Sequence, residues 1–100
     1  MSVSEEYITL ELFKSKPCCL ACTDENYIHP EPKDVATLIK LAGWSQNDAA
    51  KLVGVSYSTE RGSSTIRKWK TEKAKKEHRE IPYSTWRLML IYAGVVVIER

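Results

Sequence analysis

Apolar positions recur at helical spacing in several stretches of the chain. Val35, Leu38, Ile39 and Ala42 fall at i, i+3, i+4 and i+7, one stripe of a helix running from Lys33 to Ala42 and ended by Gly43. Ser45 then stands where an N-cap is needed, with Asp48 three residues on as a variant capping box, and Ala49, Leu52 and Val53 face inward. Gly54 supplies a turn that favours positive φ. Further on, Ser63 or Ser64 caps a third helix whose inner edge is Ile66 and Trp69. Past Pro82, Ser84 is the expected cap of a last helix in which Trp86, Met89, Leu90 and Ala93 share one face, stopped by Gly94.

The ends read differently. Ile8, Leu10 and Leu12 alternate with polar residues, as in a half-buried strand, although Tyr7, Leu10 and Lys14 also tolerate a helix. The pattern favours a strand or extended arm there. Lys16 to Asp24 is a loop or short turn, and Tyr27 to Pro32, with two prolines, is extended. Lys75 to Glu80 is a charged run without apolar periodicity, the frayed end of the third helix and a loop. Val95-Val-Val-Ile-Glu-Arg is short and β-branched and reads as a strand. The expected fold class is therefore all-α: a compact helix-turn-helix bundle of about four helices with short extended or β arms at both ends. It divides into an N-terminal arm with a cysteine cluster (1–32), a bundle (33–94) and a C-terminal strand or dimer arm (95–100).

Composition narrows the class. A chain of 100 residues with an ordinary apolar share makes one globular domain without staples. No apolar run reaches membrane-spanning length, and the acidic N-terminus lacks the basic and apolar regions of a secretory signal, so the cytoplasm is the expected compartment. The net charge of +2 hides an uneven distribution. Residues 1–34 carry three basic and seven acidic side chains, whereas residues 35–100 carry twelve basic and six acidic. Such a dipolar chain orients toward a polyanion, although lysines are also simply solvated surface.

The two middle helices give that polyanion a form. A helix of ordinary diameter fits the major groove of double-stranded DNA. The helix opening at Ser45 would brace the one opening at Ser64, with Gln46 at its N-terminus as a phosphate or helix-bracing contact. Ala49 and Ala50 let the pair pack closely. Ile66 and Trp69 anchor the second helix, leaving Ser64, Thr65, Arg67, Lys68 and Thr71 to meet DNA, with Lys70 at a flank and Lys75 on an outer face. Trp44, Trp69 and Trp86 read as core rather than as base-stacking platforms.

Ser45-Gln-Asn-Asp-Ala-Ala-Lys-Leu-Val-Gly-Val-Ser56 resembles the second helix and turn of lambda-repressor/Cro-like (XRE-type) regulators, and Ser64-Thr-Ile-Arg-Lys-Trp69 resembles their recognition helix. Ile81 to Leu90 is similar to the closing helix of small regulators carried on mobile elements. The resemblance covers residues 31–94. It implies that Gln46 clamps a backbone phosphate and that Thr65, Arg67 and Lys68 face the groove. The chain departs from the family between Ser56 and Thr65, where a tight turn is replaced by a longer stretch. This insert is either an extra phosphate-gripping loop, with Tyr57, Ser58, Thr59, Arg61 and Ser63 as donors, or a solvent loop without DNA contact.

Other chemistry finds less support. Cys18, Cys19 and Cys22 with His29 supply three soft ligands and a borderline one, but not the two separated ligand pairs of a zinc finger, so no metal is favoured. A redox Cys-x-x-Cys lacks the surrounding βαβ pattern, and an odd cysteine count argues against a secreted disulfide framework. His29 and His78 pair with no nucleophile at a recognisable spacing, no glycine-rich phosphate loop is present, and no cofactor or enzymatic activity is expected. The sequence is read as a sequence-specific DNA-binding repressor acting as a homodimer on an inverted repeat. The Val95–Ile98 strand, the Ile8–Leu12 segment and the outer face of the last helix are candidate dimer interfaces. Alternatives are a protein–protein adaptor or antitoxin-like module, and non-specific DNA or RNA binding through the Arg67–Arg79 basic tract.

Overall fold

The computed structural model describes residues 9–96. Within them the chain forms α1 (Leu10–Phe13), a 3-10 turn (Pro17–Cys19), α2 (Pro32–Ala42), α3 (Gln46–Val53), α4 (Ser64–Lys70) and α5 (Tyr83–Tyr92). Among the described residues there is no strand, only an isolated antiparallel bridge between Ser58 and Gly62. The all-α expectation holds.

The alternating N-terminal pattern winds into a helical turn rather than a strand. Thr9 caps it, its hydroxyl accepting from Leu12 N at 3.3 Å. One turn of helix swings Phe13 into the core, where its ring meets Trp86 at 6.2 Å between centroids, and leaves Leu12 60% exposed. Burying a side chain of that size stabilises by about 1.5–3 kcal/mol, enough to override a weak strand pattern. Ile8 and the residues before it lie outside the described part.

α2 begins at Pro32, one residue ahead of the predicted start. Proline suits a first helical position, and the Glu31 N–H donates to the Asp34 carboxylate at 2.9 Å. Asp34 also takes an ion pair from Lys16 at 3.1 Å, which ties the segment after α1 to the start of α2. α3 carries the expected capping box: Asp48 N donates to Ser45 Oγ at 3.0 Å and Ser45 N to Asp48 Oδ2 at 2.9 Å. α5 opens after Pro82, whose fixed φ serves as the entry, so Ser84 lies in the first turn and is not the cap.

α2 packs on α1 and α4, and α3 packs on α4 and α5. Trp86 is fully buried, and its indole N–H donates to the Cys18 carbonyl at 2.8 Å. Arg87 reaches the neighbouring Cys19 carbonyl at 2.9 Å. These two bonds staple the 3-10 turn to α5. At the far end Val95 N closes on Leu90 O at 2.9 Å and its side chain is buried, so Val95 and Val96 fold against α5 instead of extending as a strand. The rest of the predicted C-terminal strand, Val97 to Arg100, lies outside the described residues.

Candidate nucleic-acid interface

α3 and α4 are joined by residues 54–63, and the insert within them is a small closed hairpin. Ser58 and Gly62 exchange backbone hydrogen bonds of 2.7 and 2.8 Å. Ser58 Oγ accepts from Glu60 N and Arg61 N at 3.2 and 3.3 Å, which winds the chain through the tip. The hairpin is then fastened from both sides. From α3, Asn47 Nδ2 donates to Ser58 O at 3.1 Å, and Gln46 Oε1 accepts from Ser63 N at 2.7 Å. From α4, Arg67 donates to the Arg61 carbonyl at 2.8 Å. Gly62 lies at φ 75° with its Cα turned against the Gln46 amide, so close that a Cβ there would collide with Oε1.

α4 is two turns long and is held by Ile66 and Trp69, both buried. Ser63 caps it, its hydroxyl accepting from Ile66 N at 3.3 Å. Basic residues Arg67, Lys68 and Lys70 occupy its last turn, where cations favour the negative end of the helix dipole. The helix stops at Lys70 rather than fraying into the charged run. Thr71 leaves helical geometry and its hydroxyl donates to Arg67 O at 2.7 Å. The following turns fold back over the helix end: Arg79 N donates to Lys68 O at 3.2 Å and His78 Nδ1 hydrogen-bonds Thr71 O at 2.8 Å.

The sequence-expected contact residues therefore separate into groups. Ser64, Arg67 and Lys68 are exposed on α4, with Thr65 and Lys70 half-buried beside them. Tyr57, Ser58 and Arg61 are exposed on the hairpin and, with Ser56, Gly62, Ser64 and Arg67, line one open cavity of about 380 Å³. Thr71 ends α4, and Lys75 stands beyond the helix in the turns that follow, not on its outer face. Ser63 is fully buried as the cap and presents nothing to solvent, because its hydroxyl and N–H both serve the α3–α4 joint. Gln46 is half-buried, with its amide oxygen committed to that joint. Two contributors were not singled out from the sequence: Asn47, and Lys51, whose ammonium lies 5.5 Å from the centre of the Tyr57 ring. Asn47 gave no signal, since its partner is eleven residues away in a loop.

The Asp48 carboxyl is held below the usual carboxylate range, first by the Ser45 backbone N–H, then by the Ser45 side chain, with a smaller contribution from Lys51. Of the cysteines, Cys18 and Cys19 are buried and Cys22 is exposed. The Cys18 thiol is pushed up by its hydrogen bond with Cys19 and by burial, which keeps it protonated. His29 uses both ring nitrogens within the fold, one with the Tyr27 hydroxyl at 2.8 Å and one with the Ile81 carbonyl at 2.7 Å. Among the described residues no three His, Cys, Asp or Glu side chains come together to hold a metal ion. No described helix is long and apolar enough to cross a membrane.

No family model and no solved structure matches the chain. Two curated proteins of Escherichia coli do, both named transcriptional repressor protein KorC. One is 34% identical over 76 residues, which is 76% of this chain and 80% of that protein. The other is 27% identical over 76 residues, with the same coverage of both chains. At that identity and coverage, the chain belongs to the KorC family of transcriptional repressors.

Proposed function

We propose that the chain is a transcriptional repressor that binds double-stranded DNA sequence-specifically through α3 and α4, used as a helix-turn-helix. α4 lies in the major groove, with Thr65, Arg67 and Lys68 toward base edges and Ser64 and Lys70 toward the backbone, while Thr71 keeps its hydroxyl donor on Arg67 O at the helix end. Tyr57, Ser58 and Arg61 reach the backbone from the hairpin, and Lys75 lies along the flank. Gln46 reaches a phosphate through its amide nitrogen, the only donor of its side chain, while its oxygen accepts from Ser63 N. The reading rests above all on the arrangement of α4, whose two apolar residues are buried while Ser64, Arg67 and Lys68 are exposed, Arg67 with one donor on the Arg61 carbonyl. Membership of a repressor family supports the same reading.

A single short reading helix covers too few base pairs for tight specific binding, so two copies on an inverted repeat are expected, each reading one half-site and together excluding polymerase. Of the interface candidates, Leu12 of α1 and Tyr92 of α5 keep large exposed apolar side chains, at 60% and 54%. Val95 is spent inside the subunit. The protein would act in the cytoplasm and needs no cofactor.

The test is a salt titration of binding to the DNA flanking its own gene. Arg67→Ala and Lys68→Ala should each weaken binding, and each lost phosphate contact should lower the slope of log K against log salt by about 0.9. Normal binding by both variants would refute the assignment of α4. Equal affinity for any duplex would favour a non-specific binder, and no DNA binding a protein–protein module.

A further inference from the structure

We infer that the cavity between the hairpin and α4 is a built seat for one phosphodiester group of the DNA backbone, an inference that rests on the DNA-binding reading above. It is lined by Ser56, Tyr57, Ser58, Arg61, Ser64 and Arg67, residues whose side chains carry two guanidinium groups and four hydroxyls. No carboxylate lines it, although Glu60 stands next to Arg61 at the hairpin tip. Every wall residue but the glycine thus carries a hydrogen-bond donor, and the two charged ones have the planar fork that suits phosphate oxygens. Lys51 adds a further positive charge behind the Tyr57 ring.

Two features distinguish this from a chance group of surface cations. The hairpin is closed by its own backbone bonds and fastened to both helices, so the loop that carries Tyr57, Ser58 and Arg61 is held in place before any ligand arrives. Arg67 uses one of its five N–H donors on the Arg61 carbonyl, which orients the guanidinium at the cavity wall while the other donors remain for a ligand. The cavity also shares Ser64 and Arg67 with the exposed face of α4. A phosphate seated there would fix how far and at what angle α4 enters the groove, so the insert would set the register of reading rather than read bases itself.

Arg61 is the residue to change, because the hairpin is held through its backbone and not through its side chain. The experiment scans an operator half-site with single methylphosphonates, which remove one phosphate charge at a time, against wild type and Arg61→Ala, with Tyr57→Phe as a second variant that keeps the ring and loses only the hydroxyl. Circular dichroism checks that both variants fold. For the wild type, neutralising one phosphate, or two adjacent ones, should weaken binding roughly tenfold. Arg61→Ala should weaken binding to natural DNA by a similar factor, reduce the salt slope by about 0.9 and no longer respond at that phosphate. If Arg61→Ala and Tyr57→Phe both keep wild-type affinity, slope and methylphosphonate profile while the wild type binds specifically, the seat is overturned and the DNA-binding reading stands. If the wild type binds no operator specifically, both fall.

Discussion

Replacing Gly62 by alanine isolates the joint that fixes the hairpin on α3. Two separate costs apply. The first is the left-handed backbone at φ 75°, which costs an alanine about 1–2 kcal/mol. The second is the collision of the new Cβ with Gln46 Oε1. That oxygen is the end of a flexible side chain and can move, but moving it releases Ser63 N, a donor in a fully buried residue that it holds at 2.7 Å. An unsatisfied buried donor costs about 1–3 kcal/mol. Gly54 is the internal control: it has φ 76° and nothing within 4 Å of its would-be Cβ, so Gly54→Ala meets only the backbone cost. Gly62→Ala should therefore be the more destabilising by about 1–3 kcal/mol, and for a domain of this size each kcal/mol lowers Tm by roughly 4–8 °C. The double variant sharpens the comparison. Once Gln46→Ala has removed the oxygen, adding Gly62→Ala should cost no more than Gly54→Ala does, so the two changes are strongly non-additive. Urea denaturation of the four proteins of the cycle, with Gly54→Ala alongside, measures this. Equal costs for the two glycine variants, or additivity of Gln46→Ala and Gly62→Ala within about 0.5 kcal/mol, would show that the amide does not hold the hairpin.

Two further outcomes separate support from contact. Ser63→Ala should lower stability by about 1 kcal/mol through loss of the α4 cap, whereas Ser64→Ala, one residue on and exposed, should leave Tm unchanged and weaken only DNA binding; a reversed pattern in thermal melts and binding titrations would move the cap. Asp48 gives a pH signature: its folded pKa is depressed by the Ser45 bonds, so its contribution is present above the unfolded value and is lost as pH falls through the folded one. Asp48→Asn should flatten the acid limb of Tm against pH, from the ordinary aspartate range downward, and parallel curves for the two proteins would remove Asp48 from the account of acid sensitivity.

The helices were legible where their determinants are local. Ser45 with Asp48 three residues on, the stripe from Val35 to Ala42, and Ile66 with Trp69 each act within a turn or two, and the corresponding elements start within a residue or so of their predicted starts. The errors came where a distant partner decided the outcome. The alternation of Leu10 and Leu12 is a local strand signal, but the Phe13 side chain has a place against Trp86, and one helical turn is what delivers it. The end of α4 depends on His78 and Arg79 folding back onto its last carbonyls, which no periodicity between Lys70 and Glu80 announces. The place of the cysteines was likewise set at a distance: Cys18 and Cys19 are buried in the core, and their carbonyls receive Trp86 and Arg87.

The insert shows the same division inside the candidate site. Its turn residues and Gly62 mark a loop, and its hydroxyls and Arg61 are a set of hydrogen-bond donors, both readable from composition. Its orientation is not, because that is set by Gln46 and Asn47 reaching from the start of α3 to residues seventeen and eleven positions on. The amide oxygen of the residue that the family resemblance assigns to DNA is thus used in placing the loop, which leaves its amide nitrogen as the one donor it can present. On the DNA-binding proposal the longer hairpin serves as the brace, holding α4 at a fixed angle with Lys68 and all but one donor of Arg67 exposed. Loss of Gln46 should therefore blunt discrimination between operator and other sequences as well as weaken binding, because a loosened α4 can still meet phosphates but no longer meets the same bases.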